Sequence, residues 1–233
     1  MEYVRVTSGR FIRRLNRFVA EVEREGRTEL THVKNTGRLK ELLVPGAEVS
    51  LELADNPERT YPHSLIAVRK DGRWVNVDSQ APNRLAHEAI LLGRIRGLES
   101  VRLLKREAAW GKSRFDLYFE TDGNIGAAER GFIEVKGVTL ESGGVAMFPD
   151  APTARGTKHL LELAEAVRHG YAGIVLFVIQ MKGCSAFCPH RDMDAPFAEA
   201  LKQAAERGVR VLAYDSLVTD RRLEIDEQIT VVL

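Results

Sequence analysis

The chain has 233 residues, of which 44% are hydrophobic and 29% are charged, and its formal net charge is +1. This composition is typical of a globular protein with a sizeable core. No run of residues is apolar enough to span a bilayer, and the N-terminus lacks the apolar stretch of a signal peptide, so we expect a cytoplasmic protein without a membrane partner. Cys184 and Cys188 do not make a disulfide framework, and with His190 they lack the fourth ligand of a zinc site, so we favour reduced structural thiols.

The charge is unevenly distributed along the chain. Residues 1–40 contain ten Lys and Arg against five Glu, a net charge of +5, so the remaining residues carry a net charge of −4. A basic lobe beside an acidic lobe suits a polyanion that binds at one end of the protein and reacts at the other. A solvated face with a local charge excess explains the same count.

The first eighty residues predict short strands separated by turns. The predicted strands are Phe11–Leu15, Phe18–Val22, Thr28–Val33, Glu48–Leu53, Ser64–Arg69 and Trp74–Asp78. The segments NR, REGR, NTG, VPG, DNP and KDG supply the turn signals between them. Short strands at this spacing, without a long helical pattern, favour a small β-barrel, and we expect an OB-like barrel over residues 1–80.

From Ala81 onwards, helices and strands alternate. Pro82 marks a helix start, and Asn83 is expected to cap a helix over residues 84–95. The other predicted elements are strands at Val101–Lys105, Arg114–Glu120, Phe132–Lys136, Gly173–Gln180 and Val209–Tyr214, and helices at about Ala154–Gly170 and Pro196–Gly208. This alternation predicts an α/β domain over residues 81–233, with the apolar run Ile174–Ile179 as its buried central strand.

Three charged side chains are expected to meet on one face of the predicted sheet. Glu134 and Lys136 alternate with apolar residues, so both leave the same face of a strand. Asp116 lies in a similar strand, and the turn-rich residues 121–131 are short enough for a hairpin-like connection between the two. Two carboxylates and a lysine in one place can hold a divalent metal and steer a water or a phosphate. Alone, the E-x-K triplet is a weak indication, since many solvated strands alternate charged and apolar residues.

Two resemblances extend this interpretation. The pattern of Asp116, 17 intervening residues, Glu134 and Lys136 resembles the core of the PD-(D/E)XK nuclease superfamily. In addition, seven segments are similar, in the same order, to the sugar fermentation stimulation protein family: HVKNTGRLKELLVPGAEV, DNPERTYPHSL, NRLAHEAI, SRFDLYF, FIEVKGVTL, MFPDAPTARGTKHLLEL and VLAYD. This resemblance implies an OB-like barrel followed by a restriction-endonuclease-like α/β domain with a mixed sheet. It also implies a DNA-binding regulator of sugar-utilisation genes, maltose metabolism in particular.

The resemblance gives each residue of the charged group a role. Asp116 and Glu134 are the expected ligands of Mg²⁺ or Mn²⁺, with the carbonyl of Val135 as a further oxygen. Lys136 is expected to orient the attacking water or to offset charge on the phosphate. The alternative is an ordinary surface strand pair with an ion pair.

Two acids outside this group each allow two interpretations. Glu88 matches the helix glutamate that many enzymes of the superfamily add to the metal site, and an ion pair with Arg84 explains it equally well. Asp150 is either a fourth acid or a turn former, and we favour the turn.

Two basic groups are candidate contacts for nucleic acid. In the barrel we expect a groove for a single strand that contains Arg13, Arg14, Arg17, Asn35, Arg38 and Phe18. Because Arg13 and Arg14 are adjacent on a strand, at most one of them should contact the ligand. The second group, near a predicted helix start that favours phosphate, contains Arg155, Lys158 and His159. A solvated barrel and a basic helix end at a domain contact explain the same residues without a ligand.

The sequence therefore favours a DNA-binding protein, with RNA as a second substrate type, that carries a metal-dependent nuclease site. One alternative is a DNA-binding regulator that binds without cutting. The other is a structural or adaptor protein that binds a protein partner through the barrel edge. The sequence leaves open the strandedness of the substrate, its sequence preference and the oligomeric state.

Overall fold

The computed structural model describes residues 1–111, 113–122 and 130–233. The middle of the hairpin-like connection expected between the strands of Asp116 and Glu134 lies outside the described residues.

Strands of the N-terminal part close into a barrel. They are β1 (Val6–Arg14), β2 (Val19–Arg24), β3 (Arg27–Val33), β4 (Glu48–Leu53) and β5 (His63–Lys70), with β6 (Arg73–Asn76) paired to the far end of β5. Antiparallel pairing runs in the order β3, β2, β1, β4, β5, and a short parallel pairing of β3 with β5 closes the circle. This closure confirms the predicted OB-like barrel.

A six-stranded mixed sheet, counted over the described residues, forms the centre of the second part. Its strands, in spatial order, are β15 (Leu223–Gln228), β14 (Arg210–Val218), β12 (Ala172–Ile179), β9 (Arg130–Val138), β8 (Ser113–Thr121) and β7 (Val101–Trp110). The central strands β9, β12 and β14 are parallel, and the others are antiparallel. The buried strand at Ile174–Ile179 and the mixed α/β domain are thus confirmed.

Helices cover both faces of this sheet. The helix α1 (Ala81–Leu91) packs on one face, and α2 (Ala154–Arg168) and α3 (Ala195–Glu206) pack on the other. Within the described ranges, no helix combines the length and the apolarity needed to cross a membrane.

A small second sheet was not predicted. Its strands are β10 (Leu140–Ser142), β11 (Val145–Phe148), β13 (Ala186–Pro189) and β16 (Thr230–Val231). They have two to four residues each and pair mostly with distant segments. Strands this short carry too few residues for an alternating pattern, so tertiary contacts decide their conformation.

The start of α1 differs from the prediction. The helix begins at Ala81, with Pro82 in its first turn, where the fixed φ of proline and its missing N–H are tolerated. Asn83 is therefore inside the first turn and does not cap the helix. Leu92 follows the helix end and is exposed, whereas Leu85 is buried.

A buried polar network joins the barrel to the second domain. Gln180 donates through Nε2 to Asn76 Oδ1 at 2.8 Å and to the carbonyl of Asp78 at 3.1 Å. Asn76 donates to the Tyr3 hydroxyl at 3.1 Å, and that hydroxyl donates to Asp78 Oδ2 at 3.2 Å. One apolar core also continues from the barrel into the α2 face of the sheet. The joint is thus packed and hydrogen-bonded like a domain interior.

Candidate active site

The candidate site lies where β8 and β9 separate. Their ladder ends with the pairing of Leu117 with Ile133, and Asp116, which directly precedes Leu117 in the chain, lies just beyond it. Beyond this point, the Asp116 carboxylate accepts a hydrogen bond from the backbone N–H of Val135 at 2.8 Å. A side chain thus links the two strands where their backbones no longer pair.

A side chain from α1 holds the other oxygen of Asp116. Asn83 Nδ2 donates to Asp116 Oδ1 at 2.8 Å. Burial, followed by repulsion from Glu134, raises the pKa of Asp116, and the donors around it offset this only in part. Asn83 was missed as a site residue because its sequence position indicates a helix cap.

Glu134 points to the α2 face of the sheet and is 2% exposed. Its Oε1 accepts hydrogen bonds from Lys136 Nζ and from His159 Nδ1, both at 2.5 Å. Burial, the largest influence, raises the pKa of Glu134, but the His159 hydrogen bond and the Lys136 charge outweigh burial and lower it. The predicted meeting of Glu134 with Lys136 is therefore present in the structure, and His159 joins them.

The second oxygen of Glu134 suggests what the site could hold. Glu134 Oε2 is buried and has no hydrogen-bond partner among the described residues. A buried carboxylate oxygen without a donor is unfavourable, and a cation would satisfy it. Asp116, on the neighbouring strand, keeps free lone pairs on both oxygens. These residues fit a hard divalent cation such as Mg²⁺ or Mn²⁺, which prefers oxygen ligands.

The basic residues at the start of α2 divide into two kinds. Arg155 and Lys158 are exposed, and Lys158 Nζ lies 3.8 Å from Glu162 Oε1. His159 is buried and turned towards Glu134. Arg155 Nε lies 3.5 Å from His159 Nε2, an arrangement that suits the tautomer with its proton on Nδ1.

The structure does not bring Glu88 to this site. Its carboxylate lies 3.1 Å from the α-amino group of Met1, in a shallow cleft beside Arg94. Five residues separate Glu88 from Asn83, a rotation of about 140° around a helix with 3.6 residues per turn, so the two leave different faces of α1. The expected alternative partner, Arg84, does not pair with Glu88 among the described contacts either.

Another carboxylate cluster already contains a cation. Among the described residues, Asp215, Asp226 and Glu227 place ligand-capable oxygens within 4.8 Å of one another. Lys182 Nζ contacts the three carboxylates at 3.0, 2.6 and 2.8 Å. The ammonium occupies the position between the carboxylates and offsets part of their charge, so the cluster is an ion-pair network.

The cysteines form no comparable group within the described ranges. Burial raises the pKa of the Cys184 thiol to about 11 and also raises that of Cys188. His190 Nδ1 lies 3.3 Å from the backbone carbonyl of Pro149. This geometry agrees with reduced structural thiols.

A groove of about 620 Å³ runs between the barrel and the second domain. Its lining residues are Phe11, Arg13, Arg14, Asn16, Arg17, Thr36, Gly37, Arg38, Lys40, Leu43, Pro45 and Ala151. The predicted contacts Arg13, Arg17 and Arg38 therefore share one groove. Phe18 and Asn35, which we expected there, are not among the lining residues.

Arg14 organises the loop that forms one wall of this groove. Its guanidinium donates at 2.6 to 3.2 Å to the backbone carbonyls of Asn16, Arg17, Asn35, Gly37 and Arg38. Arg13 instead pairs with Glu21 at 2.7 Å. Both arginines line the groove, although adjacent residues of a strand are expected to point to opposite sides. A bulge between Phe11 and Arg13 interrupts the alternation, and β1 ends at Arg14.

Asn35 and Asp150 shape the same loop. Asn35 Oδ1 accepts from the Gly37 N–H at 2.7 Å, and Asn35 Nδ2 donates to the Val77 carbonyl at 3.0 Å. Asp150 Oδ2 accepts from the Arg38 N–H at 3.2 Å. Asp150 thus ties the second domain to the barrel loop.

Two family profiles match the chain. The profile described as the SfsA N-terminal OB domain covers residues 12–77, and the sugar fermentation stimulation protein RE domain covers residues 80–222.

Curated relatives match over nearly the whole chain. A sugar fermentation stimulation protein homolog of Alkaliphilus oremlandii is 52% identical over 99% of this chain and 98% of its own length. A homolog of Clostridium beijerinckii is 47% identical over 100% of both chains. The solved structure of Pyrococcus furiosus SfsA in complex with Ca²⁺ matches with a TM-score of 0.88 and 28% identity, over 100% of this chain and 98% of that one.

Proposed function

The chain belongs to the sugar fermentation stimulation protein family, and from its candidate site we propose that it is a metal-dependent nuclease that binds DNA or RNA. One observation carries the proposal. The buried Glu134 Oε2 has no donor among the described residues, beside a second carboxylate and a lysine. Such a group suits cation binding next to a phosphate better than it suits a structural ion pair.

Asp116 and Glu134 would hold the cation, Mg²⁺ or Mn²⁺, with the Val135 carbonyl as a further oxygen. When bound, the ion would polarise a phosphoryl oxygen and lower the pKa of a bound water. Asn83 would keep the Asp116 carboxylate in one orientation, because it holds one oxygen while Val135 N–H holds the other. His159 would do the same for Glu134.

Lys136 would act on the phosphate or on the attacking water. In the described structure its ammonium is held by Glu134 at 2.5 Å, on the same face of β9. A cation at Glu134 would compete for that carboxylate and leave the ammonium available for negative charge on the phosphate. Charge placed there stabilises the transition state more than the bound substrate.

Nucleic acid would contact the exposed basic residues on both domains. These are Arg13, Arg17, Arg38, Arg155 and Lys158. Asn35 and His159, which the sequence placed among the contacts, would act indirectly, because hydrogen bonds inside the protein already engage them.

A regulator that binds without cutting is the second candidate. The name shared by the relatives, sugar fermentation stimulation, favours it. The ion pair of Lys136 with Glu134 favours it as well. Because Lys136 already neutralises the charge of this carboxylate, Glu134 Oε1 needs no metal.

A cleavage screen tests the proposal. Supercoiled plasmid and single- and double-stranded oligonucleotides of DNA and RNA are incubated with Mg²⁺, Mn²⁺ or EDTA. We expect metal-dependent cleavage that is lost in Asp116→Ala and Glu134→Gln and kept in Glu88→Gln, a matched carboxylate on the same domain. Calorimetry should show weak metal binding that disappears in Glu134→Gln. Unchanged metal affinity in that variant would refute the site assignment, and binding of nucleic acid without cleavage would favour the regulator.

A further inference from the structure

We propose that the groove between the barrel and the second domain binds an unpaired strand of nucleic acid and leads it to the candidate active site. This inference rests on the proposed function, and it adds the class of substrate: a nucleic acid with a single-stranded segment. Three features of the groove carry it, namely its charge, its apolar floor and its position.

The groove is strongly basic. Five of its described lining residues are Arg or Lys, and none of its described lining residues is Asp or Glu. Two of these cations are engaged, since Arg13 pairs with Glu21 and Arg14 holds the loop carbonyls. The side chains of Arg17, Arg38 and Lys40 have no hydrogen-bond or ion-pair partner in the described part of the chain. Three unpaired cations in one groove fit a polyanion.

The floor of the groove is apolar. Phe11, Leu43, Pro45 and Ala151 line it; Phe11 and Leu43 are buried beneath its surface, whereas Pro45 is exposed. A duplex presents phosphates outward and hides its bases, so it would leave this floor without a partner. An unpaired strand presents phosphates and bases at the same time. Its phosphates contact basic side chains while its bases pack on apolar and aromatic groups.

The groove borders a segment of the second domain that leads along the chain to the carboxylates. Ala151 belongs to the second domain, and its neighbour Asp150 accepts the hydrogen bond from the Arg38 backbone. Three residues later α2 begins, with Arg155 exposed in its first turn and His159 in contact with Glu134. A strand that leaves the groove past Ala151 therefore reaches further exposed cations and then the site.

An acidic protein segment would satisfy the charge of the groove equally well. The observations favour nucleic acid, because the apolar floor suits bases and because the groove adjoins a group of residues suited to phosphodiester chemistry. Competition by polyglutamate separates the two ligands.

The test measures binding of the full-length protein in EDTA, so that cleavage does not intervene. Fluorescence anisotropy compares a labelled oligothymidylate with a blunt hairpin duplex that has the same number of phosphates, and unlabelled oligouridylate serves as an RNA competitor. The groove variants are Arg38→Ala and Ala151→Glu, which act from opposite domains. The matched control is Arg27→Ala, an exposed barrel cation outside the groove.

We expect the single strand to bind more tightly than the duplex. Arg38→Ala should weaken its binding by about tenfold or more, the scale of one charged hydrogen bond. Ala151→Glu should weaken it by about the same factor or more, because the new carboxylate repels the phosphates. The control should not weaken it. Arg38→Ala should also reduce the slope of log affinity against log salt by about 0.7, the value for one phosphate contact on a single strand.

Three results would overturn the inference: equal or tighter duplex binding, groove variants that bind like the control, or full competition by polyglutamate. The cleavage screen tests the proposed nuclease independently of the groove. A protein that cuts duplex while the groove variants behave normally would refute the groove and keep the nuclease. A protein that binds single strands in the groove and cuts nothing would keep the groove and refute the nuclease.

Discussion

At the scale of single residues, Lys136 distinguishes an active site from an ion pair. We expect Lys136→Met to fold and to bind nucleic acid, and to cut at least about 100-fold more slowly, the scale for one electrostatic or acid–base group. Lys136→Arg should restore little of the cleavage rate, because a planar guanidinium does not replace a compact ammonium. Single-turnover cleavage rates check this. A methionine variant that cuts at the parental rate would make Lys136 a surface lysine.

His159 is expected to act as a positioning residue for Glu134. We expect His159→Gln to weaken metal affinity several-fold, and His159→Leu to weaken it by more, about 10- to 100-fold, as for other residues that orient a ligand. A glutamine retains a donor for the carboxylate, whereas a leucine leaves Glu134 Oε1 with Lys136 alone. Calorimetry with Mn²⁺ measures both. Equal affinity in the leucine variant and the parent would show that His159 only fills space.

The sequence predicts some of these residues and misses others for a physical reason. Alternation along a strand puts Glu134 and Lys136 on one face, and this local rule is independent of the rest of the fold. The contact of Asn83 with Asp116, and of His159 with Glu134, joins a helix to a strand 33 or 25 residues away. Their partners depend on how the helices pack on the sheet, which no spacing in the sequence specifies.

At the scale of elements, the loop after β3 has no room for a side chain at Gly37 unless Asp150 and Asn35 move. A Cβ on Gly37 would collide with the Asp150 carboxylate and would lie 2.9 Å from Asn35 Oδ1. We therefore expect Gly37→Ala to displace the loop and to weaken oligothymidylate binding about tenfold, the scale of one charged contact. Metal affinity should stay unchanged. Thr28→Ala, at an exposed barrel position outside the groove, is the control, and equal binding by both variants would contradict the expectation.

Sequence patterns suffice to predict some of the strands and helices. The barrel strands follow from turn signals and alternation, and β4 has the predicted bounds, Glu48–Leu53. The small sheet was missed because most of its pairings join segments far apart in sequence. The strand β15 was missed although it forms a local hairpin with β14, because only Leu223 and Ile225 mark its buried face and the three residues after them are charged or polar. The sequence also does not specify how α1 is rotated on the sheet. Glu88 was therefore a candidate residue of the metal site, whereas Asn83 was not.

At the scale of the whole molecule, the barrel and the second domain should unfold together. Gln180→Leu keeps the volume of the side chain but leaves Asn76 Oδ1 and the Asp78 carbonyl without this donor. The loss should lower the free energy of unfolding by about 1–3 kcal/mol. Gln203→Leu, on the outer face of α3, should change it by less than about 0.5 kcal/mol. Urea unfolding measures both, and two separate transitions in the parent would contradict a shared core.

The bond of Asp116 to the Val135 N–H makes the same carboxylate a ligand and a piece of the sheet. Its removal therefore disturbs the strands as well as any ion. An amide–carboxylate exchange avoids this: Asp116→Asn combined with Asn83→Asp keeps each donor facing an acceptor while the negative charge moves from the strand to the helix. Such a protein should melt like the parent and yet bind Mn²⁺ differently. In this chain, charge at the site and continuity of the sheet can thus be varied one at a time.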